Sequence, residues 1–445
     1  MGWLSGCPLI SLKRVSGSAP ARRAMSGNGE MKIKHLVNYY LENMTSEHRK
    51  SEVVGYIKDQ RMMHRRKIDA PKNLINLKNG IFDIDTNELK PHSPDYYFLS
   101  QLPIEYKANA DCPKIKEFFI EIFPDKYSEY IAVMQEMFGF CLYREYFLHV
   151  AFMLYGKGRN GKGVTINLLR LLLGEHNYST RSLNSLTGDK FAKAELYGKL
   201  ANLGAEISDQ AIKDWGTFKN LTGGEPISGE KKFMGGFNFL NHAKLVFNVN
   251  KIPYSKDKSY GFFERWIIPV FSQTYPRGEA KTNPNLIHIL STQEEMSGLF
   301  NWAILGLRRL LKNNNFSYHE DADELGDRYE ILARPEKGFI SEHYEYSEGD
   351  KLSKDEVYDR YYKWADKNRY AILMKGSFTR QLVYYLKGCK IGNMTMSGKR
   401  VKAYINIRQV EGQEEESSLP DSNQETLEPK FRDKEEKELY LRRNY

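Results

Sequence analysis

Apolar residues along this chain recur first at helical spacing, then in short alternating runs, and then in longer blocks. Ile33, Val37, Tyr40 and Leu41 predict helix from residue 31 to about 66. The next stretch, APKNLINLKNGIFDIDTNELKPHSP, sets short apolar runs between Asn-Gly and Asp-Thr-Asn turns, the pattern of a small β-meander. Spacings of three and four return between Pro113 and about Leu142, through Phe118, Phe119, Ile122, Ile131, Met134, Met137 and Phe138, and predict a helical block. FLHVAFMLY (147–155) is an apolar run of the kind that a strand covered on both faces requires. It runs into GKGRNGKG, after which VTINLLRLLLG resumes helical spacing and stops at Gly174. KLANLGAEI (199–207), AKLVFNVN (243–250) and RWIIPVF (265–271) are further buried-strand candidates. Strands alternating with helices predict an α/β core with a parallel sheet over roughly 140–310. Beyond about residue 331, LSKDEVYDRYYKWADKN and GSFTRQLVYYLKG predict two short amphipathic helices, and KRVKAYINIRQV a terminal strand. Helices followed by a basic β-hairpin resemble a winged-helix module.

Composition narrows the picture only a little. The 445 residues suffice for two or three domains, and no run of about 18 apolar residues suggests a membrane span. Lys and Arg outnumber Asp and Glu by 66 to 57, a balance that suits a polyanionic partner without requiring one. Four scattered cysteines, Cys7, Cys112, Cys141 and Cys389, form no C-x-x-C pair, which argues against a zinc cluster or a disulfide framework. Residues 1–30 carry Arg, Ser and Gly and no acid before Glu30; they read as a disordered leader with a faint likeness to a transit peptide. Residues 411–445 read as a flexible charged tail.

The glycine run is where chemistry enters. Gly156 to Lys162 fill seven positions of G-x-x-x-x-G-K-[ST], and the eighth is Gly163, which has no hydroxyl for a magnesium ion. Between a buried strand and an apolar helix, Gly156, Gly158 and Gly161 would free backbone N–H groups to cradle phosphates, and Lys162 would add a cation. Asn160, Gly163 and Val164 complete the expected nucleotide contacts. Thr165, two residues further along the helix, faces another way and is a poor substitute for the missing hydroxyl. Glu206 ends the strand expected beside the loop strand, where an acid can polarise the attacking water and help hold Mg²⁺ through water. Ala205 stands where a second acid often stands, and a lone strand-end Glu is also commonly just solvated. Asn248 and Asn250 end a third strand; an amide there can sense the γ-phosphate, although Asn also ends strands routinely. Arg265 could reach a neighbouring subunit's phosphate or merely pair with Glu264. LTGGEPISGEKKFMGGFNF (221–239) sets Lys231 and Lys232 among Phe233, Phe237 and Phe239. That mixture suits single-stranded nucleic acid, or equally a hairpin whose rings face the core. In the C-terminal module, Arg380, Lys399, Arg400 and Lys402 supply cations for DNA or a protein partner.

Taken together, NLINLKNGIFDIDTNELKPHSPDYYF, GKGRNGKG, AEIS, KNLTGGEPISG, NVNKIP and FFERWIIPVF resemble, in order, the C-terminal helicase part of the phage and plasmid primase-helicases. These are superfamily 3 (AAA+) ATPases, and the likeness covers about residues 65–275. It implies an AAA+ P-loop core (141–325) behind a helical and small-β N-terminal region (31–140), with a winged-helix-like domain at 335–410. It implies that Lys162 binds phosphate, Glu206 is the catalytic acid, Asn250 the sensor and Arg265 an arginine finger acting on the neighbouring subunit. Lys231 or Lys232, with Phe233, would touch DNA in a central pore. The cofactors implied are ATP and Mg²⁺. The partners implied are single-stranded DNA, with forked or double-stranded DNA as alternatives, and identical subunits in a hexameric ring. About 60 residues precede the matching lead-in, too few for a primase domain, so the chain reads either as a stand-alone helicase, with a primase or polymerase in trans as a candidate partner, or as the cut-out helicase portion of a longer protein. A cytoplasmic protein encoded by a phage or plasmid of a prokaryotic host fits this, with an organelle or nucleus left open. The competing class is an ATP-binding DNA scaffold, initiator or loader that hydrolyses little; a small-molecule P-loop kinase fits poorly, since it needs neither basic hairpin nor winged helix.

Overall fold

A computed structural model of the chain describes residues 29–40, 46–60, 71–93, 95–124, 128–204, 207, 214–231, 235–253, 255, 257–276, 283–318, 320–368, 370 and 372–410. The leader, the charged tail and the Ala205–Glu206 strand end of the sequence reading lie outside these residues. The chain divides into two compact units after Gly326.

The first unit opens with α1 (Gly29–Tyr40) and α2 (Glu47–Gln60), where the apolar spacing predicted helix. The meander follows as an antiparallel sheet of β1 (Leu74–Asn76), β2 (Ile81–Asp83) and β3 (Glu88–Lys90). Its second turn closes because the Asp85 N–H donates to Asp83 Oδ1 at 3.0 Å and Asn87 adopts a left-handed φ of 63°. α3 (Pro113–Ile122) begins on a proline, which suits a first turn, and buries Ile115, Phe118, Phe119 and Ile122. α4 (Glu129–Leu142) is buried on nearly every side.

β4 (Ala151–Tyr155) is fully buried, as a parallel central strand should be. It starts four residues later than the apolar run. Val150 N–H donates to the Leu148 carbonyl at 2.9 Å and the Tyr146 hydroxyl to the Val150 carbonyl at 2.8 Å, so the lead-in spends its ladder groups locally. α5 (Lys162–Leu173) ends at Gly174, as predicted. β5 (Tyr178–Ser179), α6 (Leu183–Gly188), α7 (Lys190–Ala194), β6 (Ala201–Gly204) and α8 (Trp215–Thr222) follow. A hairpin of β7 (Pro226–Glu230) and β8 (Gly236–Leu240) forms its own two-stranded sheet. The chain returns through β9 (Lys244–Val249), α9 (Tyr260–Phe263) and β10 (Trp266–Ile267) to α10 (Leu286–Leu290) and α11 (Gln293–Asn313). The five core strands lie parallel in the order β10-β4-β9-β6-β5.

α4 owes its burial to α11. A Cβ on Gly139 would lie 2.3 Å from the Ala303 carbonyl oxygen, and one on Gly306 2.5 Å from that of Gln135, so the helices touch backbone to backbone at two glycines. Beside the crossing, Arg309 donates to Glu136 at 2.6 Å, Gln135 at 2.7 Å and the Ala132 carbonyl at 3.1 Å. α12 (Ala322–Ala333) runs across the division between the units.

The second unit contains α13 (Pro335–His343), β11 (Tyr344–Ser353), α14 (Lys354–Lys367), α15 (Lys375–Tyr385), β12 (Lys390–Met396) and β13 (Lys399–Gln409). Its antiparallel sheet has the order β11-β13-β12. Tyr361 stacks on Phe378 at 4.2 Å and Phe339 meets both, which gathers the three helices. Ser397 and Gly398, with φ of 48° and 76°, make the two-residue turn that a twisted β12–β13 hairpin favours.

Candidate nucleotide-binding site

The loop after β4 is placed by the order of the strands. From β4 the chain crosses over the positions of β9 and β6 to reach β5, works back, and then passes to the other side of β4 as β10. The reversal falls beside β4, and a crevice at the carboxyl ends of strands where order reverses is where such sheets bind ligands.

Three residues of the loop take the left-handed conformation: Gly158 (φ 111°), Arg159 (φ 48°) and Gly161 (φ 91°). Gly156 was expected to share that role and does not; its need is space. A Cβ there would fall 2.1 Å from Asn160 Nδ2 and 2.6 Å from the Phe271 carbonyl oxygen. Gly161 ends the loop as the residue before α5, and a Cβ there would meet the Ile122 side chain at 2.8 Å.

Lys162 is the first residue of α5 and only 2% exposed. Its ammonium folds back to donate to the Gly156 carbonyl and to Asn160 Oδ1 at 3.2 Å. Asn160, also 2% exposed, turns its Nδ2 to the Phe271 carbonyl at 3.1 Å. The side chain expected to contact nucleotide therefore ties the lysine to the segment after β10. The loop is held from that segment along its length: Phe271 N–H donates to the Tyr155 carbonyl at 2.8 Å and Tyr275 N–H to that of Arg159 at 2.7 Å. Such a loop, opening a helix with a buried lysine folded over it, has the shape and charge to take a phosphate.

For a metal the fit is narrower. Gly163 is exposed, and a Cβ built on it meets nothing within 4 Å. Thr165 is fully buried and its hydroxyl donates to the Gly161 carbonyl at 3.1 Å, so it faces away, as expected. Val164 is half-buried behind them. Among the described residues no group of three or more His, Cys, Asp and Glu could hold a metal ion. Magnesium here would rely on phosphate oxygens and water.

The register decides which strand ends face the loop. β9, not β6, is the neighbour of β4: Leu154 pairs with Asn248, and Gly156 N–H donates to the Val249 carbonyl at 3.2 Å. Asn250, exposed, comes next, beside the first loop glycine. The strand before Glu206 was expected to lie directly beside β4. It lies one strand further out, about 10 Å from β4 at the usual strand spacing. Ala205, Glu206 and Asp209 themselves fall outside the described residues.

Arg265 sits at the opposite end of the sheet. Trp266 pairs with Ala151 and the Arg265 carbonyl accepts from Ala151 N–H at 2.7 Å, which sets Arg265 beside Val150. Six residues of strand, about 20 Å, separate that level from Gly156. Its guanidinium donates to the Gly261 carbonyl at 2.5 Å, one helical turn back. Arg265 and Lys162 of the same chain are not brought together.

On the β7–β8 hairpin, Glu230 pairs with Gly236, so Lys231 leads into the tip. Lys231 is half-buried, and Lys232 and Phe233 lie outside the described residues. The flanking rings divide: Phe239 is buried and Phe237 half-buried, and both meet Tyr197 edge-on at about 5.5 Å. Those two belong to the hairpin's own packing. The K-x-L-T-G-G stretch caps α8 and turns the chain into the hairpin. Thr222 is buried and donates to the Phe218 carbonyl at 3.1 Å, and Gly224 takes φ 71°.

One polar residue was missed in the sequence. Lys244, first residue of β9, is 0% exposed, and its ammonium donates to the carbonyls of Tyr143, Glu145 (2.9 Å) and His242 (2.9 Å). It also lies 4.6 Å from the Phe140 ring centroid. A lysine opening a run of core residues was the available signal.

Residues 21–124 match the family model described as D5 N terminal like, and residues 154–265 match a family of unknown function, DUF5906. A putative helicase of Acanthamoeba polyphaga mimivirus is 25% identical over 48% of this chain and 23% of its own length. A second, from Invertebrate iridescent virus 6, is 22% identical over 59% of this chain and 27% of its own. The chain thus spans about a quarter of the length of these relatives. Among solved structures, the apo NrS-1 C-terminal region aligns over 80% of this chain and 90% of that one, at 14% identity and a TM-score of 0.42. Among the described residues no helix is long and apolar enough to cross a membrane. With the D5-type match ahead of the glycine loop and viral proteins described as putative helicases among those it is similar to, the chain resembles the phage-type primase-helicases.

Proposed function

We propose that this chain is the ATP-driven motor of a superfamily 3 DNA helicase, working as a hexameric ring on single-stranded DNA during replication of a mobile or viral genome. The observation that carries the reading is the buried Lys162, folded over a left-handed glycine loop at the point where strand order reverses. In this reading Gly156, Gly158, Asn160, Gly161, Gly163 and Val164 form the ATP cradle. Glu206 activates water and helps hold Mg²⁺ through water, and Asn250 senses the γ-phosphate. Arg265, some 20 Å from its own loop at strand spacing, can serve only a neighbour's, so the reaction needs a subunit seam. Lys231, Lys232 and Phe233 line the pore, and the second unit is a winged-helix-like domain. A cytoplasmic site belongs to the same reading.

The test is ATP hydrolysis with and without single-stranded DNA. Stimulated turnover should vanish in Lys162→Ala. Arg265→Ala should retain nucleotide binding and lose turnover, and mixing it with Glu206→Ala should restore part of the activity at mixed seams. No restoration would remove the shared site from the reading. Gly163 favours one second reading, an ATP-locked scaffold or loader. Ring assembly on ATP without measurable hydrolysis, at saturating DNA, would select it.

A further inference from the structure

The side-chain amide of Asn160 closes a ring of hydrogen bonds that the ATP reading leaves without a role. Its Oδ1 accepts from the Lys162 ammonium at 3.2 Å and its Nδ2 donates to the Phe271 carbonyl at 3.1 Å. The lysine also donates to the Gly156 carbonyl, and Phe271 N–H returns to the carbonyl of Tyr155, the residue before that glycine, at 2.8 Å. An amide serves both neighbours at once: a carboxylate would bring no proton for the Phe271 carbonyl, and a methyl no lone pair for the lysine. The backbone is arranged around it. A Cβ on Gly156 would stand 2.1 Å from Asn160 Nδ2, so the first glycine of the loop makes room for this amide. The carbonyl of Arg159, in the peptide that leads into Asn160, accepts from Tyr275 N–H at 2.7 Å and pins that peptide as well. Asn160 and Lys162 are both buried.

Resting on the ATP reading above, we infer that Asn160 is a positioning residue that acts through Lys162 rather than by touching nucleotide. A direct contact with phosphate would take Nδ2 away from the carbonyl of the buried Phe271 and strand that acceptor, which offsets much of what the contact would contribute. Left in place, the amide holds the long lysine side chain in one arrangement over the loop. A phosphate entering the loop then meets a cation whose ordering is already complete, and an ordering cost met before binding does not weaken the binding. The tie also fixes the lysine relative to the segment after β10, and not only to its own loop.

The experiment reads the lysine first and the ligand second. In the full chain without nucleotide, labelling of amines with acetic anhydride is located by mass spectrometry. Labelling at Lys162 should be slow, and should rise at least about fivefold in Asn160→Ala, which removes a hydrogen bond to a charged group. Asn160→Asp keeps an acceptor for the ammonium and should stay within about twofold of the parent. Lys244, buried in β9, should label alike in all of these proteins, which separates a displaced lysine from a loosened fold. Affinity for a fluorescent ADP should then fall about tenfold or more in Asn160→Ala. In a Lys162→Ala background the same substitution should cost less than about threefold, because its effect passes through the lysine. A second loss of about tenfold in that background would return Asn160 to direct contact with nucleotide. Unchanged labelling at Lys162, or labelling that rises at Lys162 and Lys244 together, would likewise overturn the inference. A parent that binds no ADP overturns the ATP reading and this inference with it, whereas binding by the parent with an additive double variant overturns this inference alone.

Discussion

Replacing Gly163 by Ser would return the hydroxyl that the loop lacks. A Cβ at this position meets nothing within 4 Å, the residue is exposed, and it lies in the first turn of α5 at an ordinary helical φ. Steric cost is therefore close to zero. Gly→Ser in a helix should stabilise by up to about 0.5 kcal/mol. A serine oxygen replacing one water on Mg²⁺ in the nucleotide complex should add about 1.4 kcal/mol, or about tenfold in metal affinity. The assay is DNA-stimulated ATP hydrolysis titrated with Mg²⁺. The half-saturating concentration should fall about tenfold in Gly163→Ser, while ATP binding without metal changes less than about twofold. Gly163→Ala supplies the helix propensity without the oxygen and should leave the Mg²⁺ curve where it was. If Ala shifts the curve as far as Ser, or Ser does not shift it, the reasoning that the vacant hydroxyl position faces the metal is wrong.

Gly156→Ala should abolish nucleotide binding and lower stability by about 2 to 3 kcal/mol, because its Cβ would press on the fixed Phe271 carbonyl; Gly158→Ala, in open space, should show only the milder strain of its φ of 111°. Equal effects in binding and urea unfolding would contradict this. Arg309→Ala leaves Glu136, fully buried, without its cation and should destabilise by about 3 to 5 kcal/mol in urea unfolding; a loss under about 1 kcal/mol would mean the pair adds little. Burial pushes the Lys244 ammonium down to about 7, against an ordinary lysine value of 10.5. In that window the unfolded chain holds the proton that the folded chain releases, so stability should rise from pH about 7 to 8.5 by on the order of 1 kcal/mol per unit. Lys244→Met should be less stable overall and lack that rise; parallel curves for the two proteins would refute it.

The order of elements was legible from apolar spacing alone. The meander, the helical block before β4, the strand–loop–helix unit and the four core strands read from sequence all form where those runs lie, because each run either buries one face or is buried on both. The glycine loop was legible for the same reason: left-handed backbone and close approach leave few residue types able to stand there. Pairing between distant strands was not. Nothing in KLANLGAEI or AKLVFNVN says which lies beside FLHVAFMLY, so β9 rather than β6 as neighbour came only with the register, and with it Asn250 next to Gly156 and Arg265 a sheet's length from its own loop. The inward turn of Asn160 and the burial of Lys244 were hidden likewise, since the partners that satisfy them are backbone carbonyls from segments remote in sequence. Local pattern decides what a segment becomes; which groups meet across the fold is decided by packing, where an unsatisfied buried donor costs too much to be left alone.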